Sequence, residues 1–222
     1  IPYELIFIIK WISKIQIRTK IVVLFFCSIS FADKKDDQFW YSVEIGKSIN
    51  NFNIELTQEN RFKDDFELLH KSFTEFSLSY KIFQHFKLST FYRYISYNDK
   101  FKSRAGMSNK MSINLKKIEF SNKSKLQRDY LNNITPEEMV LKNKLSIEYS
   151  YLPFFTTYIS YEFFHQFIET TLAFEKYRAS FGIKYDISEL TSLKLFYSYD
   201  RKFDKNSFEV TNIIGLNYEF SF

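Results

Sequence analysis

Three histidines, His70, His85 and His165, are the side chains of this 222-residue chain suited to acid-base work near neutral pH. A hydrolytic site needs a nucleophile within reach of its base and a third group that orients the base. Two arrangements approach that pattern: Ser72 beside His70, and His165 beside Glu162 with a serine from a loop. Either would suit a lipid or lipopolysaccharide hydrolase at a membrane rim. The spacing secures neither, so the expected reading is non-enzymatic, with no catalytic residue and the histidines as turn or rim residues. No His, Cys or carboxylate cluster has metal-ligand spacing, so no metal or other cofactor is expected.

A second set of residues carries charge with a regular spacing: Glu55, Glu59, Arg61, Glu75, Arg93, Lys123, Lys125, Lys142, Lys144, Glu148, Glu162 and Arg178. Each sits on the polar row of a segment whose side chains alternate at period two. If that row faces the inside of a barrel, the charges line its lumen. They then either border a narrow solute path, with rings of charge setting selectivity, or satisfy one another as a polar filling. The second reading is preferred, because a barrel of this size is mostly filled by side chains.

The elements that must hold these residues are strands. Alternation at period two recurs near 39–48, 52–62, 73–82, 86–97, 105–116, 118–130, 140–151, 154–165, 175–186, 192–200 and 208–222. The opposite row is apolar, for example Phe76, Leu78, Tyr80 and Ile82, or Leu145, Ile147 and Tyr149. An Arg or Lys facing hydrocarbon at mid-bilayer costs about 2–4 kcal/mol, which accounts for the sorting if the apolar row meets lipid. After Ala32 no apolar stretch approaches the roughly 20 residues of a spanning helix. Backbone groups in lipid need partners, so spanning strands must close on themselves. The expected fold is all-β: a closed antiparallel transmembrane β-barrel of 10 to 12 strands with a polar, charged lumen. Eleven segments are visible, but bacterial barrels have an even number with both termini in the periplasm, so twelve is favoured. The rival is a soluble periplasmic β-sandwich or lipid-carrying barrel, which would bury the apolar row. Aromatics make up 20% of the chain, and the tyrosines crowd toward strand ends, which suits interfacial girdles better than a packed core.

Short connections at Asn50-Asn51, 83–85, Lys116-Lys117, Leu152-Pro153 and 187–191 alternate with longer ones at 63–72, 98–104, 131–139, 166–174 and 201–207. The short set is expected in the periplasm and the long set outside. Thr135-Pro136-Glu137-Glu138 has a helix-start pattern, so a helical turn is expected in the third long connection, at 131–139.

Residues 1–32 read as a cleaved signal peptide, with Lys14, Arg18 and Lys20 before an apolar run and Ser30-Phe31-Ala32 at its end. Residues 1–13 read as an over-extended start, and one membrane helix or signal anchor is the alternative. Cleavage would leave residues 33–222 as the barrel. It would take four of the 31 basic and one of the 26 acidic residues, reducing the formal charge from +5 to +2. Nucleic acid is therefore not an expected partner. Cys27, the only cysteine, lies in the same segment behind Phe25 and Phe26, which disfavours lipid attachment. The chain ends in Ile214, Leu216, Tyr218, Phe220 and Phe222 at alternate positions, similar to the C-terminal signature of bacterial outer-membrane barrels. Tyr218, Phe220 and Phe222 are the candidate assembly signal.

With the strands laid out, the chain resembles the uncharacterised outer-membrane family known as domain of unknown function 2490. The matching pieces are Phe39-Trp40-Tyr41, Asn60-Arg61-Phe62, Tyr92-Arg93-Tyr94, Glu162-Phe163-Phe164, Tyr177-Arg178, Phe181-Gly182-Ile183-Lys184-Tyr185 and Asn217-Tyr218-Glu219-Phe220. Lys123 and Lys125 stand where the family pattern suggests arginines. The resemblance implies the outer membrane of a Gram-negative bacterium and no established activity. The partners expected there are outer-membrane lipid and lipopolysaccharide, and the barrel-assembly machinery through the C-terminal strand.

Overall fold

The computed structural model describes residues 35–222 apart from 65, 98–99, 132–134, 169–170 and 204–207. The expected signal segment 1–32, its extended start 1–13 and Cys27 lie outside the described residues. Alternating side chains and a lack of interior prolines let eleven segments run as strands: β1 Lys35–Ile49, β2 Phe52–Lys63, β3 Leu68–Phe83, β4 Phe86–Tyr97, β5 Lys100–Leu115, β6 Ile118–Leu131, β7 Thr135–Leu152, β8 Phe155–Ile168, β9 Thr171–Asp186, β10 Thr191–Phe203 and β11 Phe208–Ser221. Each strand pairs with the next in antiparallel fashion, and β1 pairs with β11 to close the barrel.

That last seam overturns two expectations. β1 and β11 run parallel, with Lys35 opposite Val210 and Gly46 opposite Ser221. A parallel seam lets an odd number of strands close, so the favoured count of twelve gives way to eleven. It also places Lys35 and Phe222 at opposite mouths rather than at a shared one.

The long connections shrink as well. β3, β5, β7 and β9 start several residues earlier than the alternation suggested, and all do so at the same mouth. For β3, β7 and β9 the cause is a change of phase: the ladder shifts register at Arg61/Phe62, Arg128/Tyr130 and Phe164/His165, whereas β4 and β5 pair without a shift. An extra residue in one strand flips the side-chain pattern while the backbone pairing continues. The helical turn expected at Thr135-Pro136-Glu137-Glu138 is likewise absent. That segment opens β7, with Thr135 opposite Leu131 and Pro136 opposite Tyr130. Proline is tolerated there because the start of a strand is one of the few ladder positions that can spare an N–H.

The apolar row points outward. Ile159 is 62% exposed and Met107 65%, in a band that also holds Leu78, Ile147, Leu195 and Ile214. Aromatic clusters border the band at both mouths. One holds Tyr161 and Tyr177 (centroids 5.3 Å apart) with Phe174 and Phe203 (5.4 Å). The other holds Phe52 with Tyr80 (4.8 Å), Phe154 with Tyr185 (5.8 Å) and Phe220 with Phe222 (5.7 Å). The interior holds the charged row and a few buried apolar side chains, among them Trp40, Phe73, Phe91, Ile95 and Phe164.

Glycine is scarce, four in the chain, and three of the four lie under rings. Phe91 faces Gly106, Tyr158 faces Gly182, and Phe196 faces both Gly182 and Gly215 on its two sides. A Cβ on Gly106 would lie 2.2 Å from the Leu126 carbonyl oxygen and 2.8 Å from the Phe91 ring; one on Gly215 would lie 1.9 Å from Phe196. The rings therefore lie against the wall where a side chain is missing. Replacing Gly106 by Ala is expected to lower stability by about 1–3 kcal/mol through overpacking, and Gly215→Ala by less because the Phe196 ring can shift. Gly46→Ala, whose Cβ meets nothing nearer than 3.7 Å, is expected to be near neutral. Urea unfolding of the detergent-folded barrel measures the order.

Candidate functional site in the barrel lumen

Strands of a closed barrel tilt against its axis, so a row of hydrogen-bonded neighbours climbs the wall as it passes from strand to strand. The inward row from Lys81 runs through Lys87, Lys110, Lys123, Lys144, Glu162, Arg178 and Asp200. It begins at the β3–β4 turn and ends near the opposite mouth. All the charged residues picked from the sequence occupy inward positions: Glu55, Glu59 and Arg61 on β2, Glu75 on β3, Arg93 on β4, Lys123 and Lys125 on β6, Lys142, Lys144 and Glu148 on β7, Glu162 on β8 and Arg178 on β9.

Toward the mouth where β1 begins, these groups interlock with aromatic rings. The Arg61 guanidinium lies 3.6 Å from the centroid of Trp40 and donates to Glu59 at 2.6 Å. Arg93 lies over Phe73 at 3.8 Å and donates to Glu75 at 2.7 Å. Lys125 sits 3.5 Å over Phe91 and 3.5 Å from Glu75, and Lys142 and Lys176 flank Phe164 at 4.7 and 4.5 Å. Arg178 approaches Trp40 at 4.7 Å and donates to Asp200, the Nη2 bond being 2.7 Å. Some of these contacts join strands that are not neighbours: Lys125 of β6 reaches Glu75 of β3, and Arg178 of β9 reaches Trp40 of β1. They span the interior as chords. Cation–ring contacts gain strength when desolvated, and buried charges persist when paired, so the tier is held by mutual satisfaction.

Several members of this tier escaped the sequence reading. Trp40, Phe73, Phe91 and Phe164 are large and apolar, so the signal that marks them is position alone: each falls on the charged row. Asp129 and Asp200 lie at the ends of the segments read as strands, and Arg104 is tied to Asp129 by two bonds of 2.6 and 2.8 Å.

Toward the other mouth the lumen widens into a cavity of about 220 Å³ lined by Lys144, Ser146, Glu148, Thr156, Tyr158, Lys184, Lys194, Phe196 and Asn217. Lys194 is bonded to Glu219, and Lys184 lies 3.1 Å from Asp186.

The histidines do not assemble a hydrolytic site. His70 occupies the extra position in β3 opposite Arg61/Phe62, and its Nδ1 is buried without a hydrogen-bond partner. Ser72 instead accepts a bond from the Gln58 side chain at 2.9 Å. His165 packs its ring on Phe174 at 5.4 Å on the outer face, while Glu162, three residues away in the same strand, points inward. His85 is exposed in the β3–β4 turn. Among the described residues no group of three or more His, Cys, Asp or Glu side chains is placed to hold a metal ion.

At the C-terminus Tyr218 faces Val43 and Leu193, Phe220 faces Ile45 and Thr191, and the Phe222 N–H donates to the Gly46 carbonyl at 3.0 Å. A closed barrel with a charged interior and an apolar outer band bordered by aromatics is the porin-like class of fold. Within that class the chain belongs to the family described as Protein of unknown function (DUF2490), whose model matches residues 37–211. Among solved structures the chain is similar to the NanC porin, at 9% identity and a TM-score of 0.50 over 74% of this chain and 86% of that one. It is also similar, at 9% identity and a TM-score of 0.40, to OmpT, an outer membrane protein of Vibrio cholerae, of which it spans about half (52%). None of the curated proteins matches the chain. The likeness to NanC concerns the fold.

Removing the Asp200 carboxylate leaves Arg178 and Lys176 buried side by side without their shared acceptor. Asp200→Asn is expected to lower stability by about 3–5 kcal/mol, the effect of breaking a buried pair. Glu119→Gln, which frees the more exposed Lys110 at the other mouth, is expected to change it by about 0–1 kcal/mol. Denaturant midpoints of the two variants in the same detergent separate these outcomes.

Proposed function

We propose that this protein is a non-enzymatic outer-membrane β-barrel of a Gram-negative envelope, whose lumen is closed to free solute flow by its cation–ring tier. The observation that carries this reading is the set of chords across the interior, Lys125 to Glu75 and Arg178 to Trp40, backed by buried Phe73, Phe91 and Phe164. Rings buried across the interior and tied there by ion pairs oppose a continuous column of water.

The membrane location rests on the outward band: apolar side chains exposed around a closed wall need an apolar surrounding phase. Its aromatic borders match the two interfaces of a bilayer. The mouth with the two-residue turns, where Phe222 ends, faces the periplasm in this reading. Tyr218, Phe220 and Phe222 would then present the last strand to the barrel-assembly machinery, with lipid and lipopolysaccharide as the surrounding partners. Cleavage after Ala32 would accompany export.

In planar bilayers the purified protein is expected to show little or no steady current. The triple variant Trp40→Ala/Phe73→Ala/Phe164→Ala, which removes the rings, is expected to open a stable one. A steady open current from the unaltered protein would overturn the closed-lumen reading. For the non-enzymatic part, His70→Ala and His165→Ala are expected to leave the lipid A and phospholipid profiles of expressing cells unchanged. A shift produced by the unaltered protein and lost in either variant would establish a hydrolase instead.

A further inference from the structure

Lysines oppose one another on the inner face of β6 and β7. Lys123 lies directly across from Lys144, and Lys125 directly across from Lys142, giving a block two strands wide and two positions tall. The row continues outward in the same sense, with Lys110 across from Lys123, Lys87 across from Lys110 and Lys81 across from Lys87. Like charges directly opposite each other in a ladder are destabilising. The wall carries this arrangement over four consecutive cross-strand pairs.

The neighbouring acids do not cancel it. Lys87 and Lys110 have partners in Glu55 (3.8 Å) and Glu119 (2.8 Å), and Lys125 has Glu75 (3.5 Å). Lys142 packs on the face of Phe164, and Glu162, directly across from Lys144 on β8, is the one nearby carboxylate for both Lys142 and Lys144 and forms its ion pair with Arg178 instead (3.8 Å). Lys123 and Lys144 make neither an ion pair within 4 Å nor a side-chain hydrogen bond among the described residues. The two residues are direct cross-strand neighbours, and Lys144 lines the lumen cavity together with Lys184 and Lys194. Ser121 and Ser146, opposite each other one position further along the same two strands, add hydroxyl donors, and Ser146 also lines the cavity. Glu148 is the one carboxylate among the lining residues. Lys123 is exposed to the lumen, and Lys81, Lys87 and Lys110 mark a cationic approach to it from the mouth with the two-residue turns.

We propose that the lysine block of Lys123, Lys125, Lys142 and Lys144, with the adjoining cavity, binds a small soluble solute that carries two or more carboxylate or phosphate groups. One anionic group bridges Lys123 and Lys144, and a second lies in the cavity against Lys184 and Lys194, with Ser146 donating between them. The volume of about 220 Å³ is below the roughly 300–1,000 Å³ of sites for drug-sized ligands, so the solute has the size of a tricarboxylate or a sugar acid. The site lies toward the mouth with the two-residue turns, so it serves capture from that side whether or not the tier above it conducts. The inference rests on the barrel reading and is independent of the closed tier.

The test is calorimetric titration of the detergent-folded full chain with citrate, and separately with inorganic phosphate, against sodium chloride of equal ionic strength. Citrate is expected to bind and to raise the urea midpoint, phosphate to bind more weakly, and chloride to do neither. Lys123→Gln/Lys144→Gln is expected to weaken citrate on the order of tenfold or more for each lysine removed. Without citrate, the same variant is expected to unfold at a higher urea concentration than the unaltered protein, because an opposed like-charge pair is gone. Lys116→Gln/Lys117→Gln in the exposed β5–β6 turn serves as the control and is expected to retain full affinity. Absence of citrate binding by the unaltered protein, or binding undiminished in the Lys123/Lys144 variant, overturns the site. Water-solubility without detergent would instead overturn the barrel reading, which the same preparation reports before any titration.

Discussion

Sorting of side chains between two faces of a single-layer wall is the constraint on which everything else in this molecule depends. A barrel wall has no second layer to cover it, so each strand must serve two environments at once. Isoleucine, leucine and aromatic residues take the outer positions, and the ionised groups are left to the interior. A displacement by one residue would exchange the two sets and place lysines and arginines against hydrocarbon. The bulges at Arg61/Phe62, Arg128/Tyr130 and Phe164/His165 occur where the wall nears its rim, where such an exchange is inexpensive.

Once charge is confined to the lumen, its packing follows from scarcity of space. Eleven strands enclose more room than a small filled barrel and less than a porin channel. Toward one mouth the interior is taken by rings capped with guanidinium and ammonium groups. Toward the other it keeps a cavity, with lysines in excess on one side. Where rings must lie flat, the wall gives way beneath them: Gly182 and Gly215 alternate with Tyr158, Phe196 and Trp40 along one row. The few glycines of the chain are thus spent on shaping the interior and not on turns, which use Asn50 and Lys116 at positive φ.

The strand positions and their sidedness were legible because period-two alternation is a direct imprint of two-faced exposure, and every segment read from the sequence coincides with one observed strand, overrunning it by no more than one residue. Strand ends were not legible. A bulge preserves backbone pairing while breaking the pattern of side chains, so β3, β7 and β9 seemed to begin where their phase changes. The expectation of twelve strands failed for a different reason: it came from a rule about how chain ends meet, which no residue encodes. In the lumen, charge was easy to see and its partners were not. Trp40, Phe73, Phe91 and Phe164 look like errors in a polar row until the cations stacked on them are known, and the pairing of lysine with lysine appears only once register is fixed.

The seam between β1 and β11 joins segments some 175 positions apart, as the bond from Asn212 to Asp37 illustrates. Every other pair of neighbours is a hairpin that can zip from its own turn. The closing seam has no turn to start from, bears the largest loss of chain freedom, and uses the slanted bonds of parallel pairing. It is therefore the final edge to join during maturation and the first to part under stress. Until then the nascent sheet presents two unpaired edges of N–H and C=O groups, one along β1 from Lys35 and the other along β11 to Ser221.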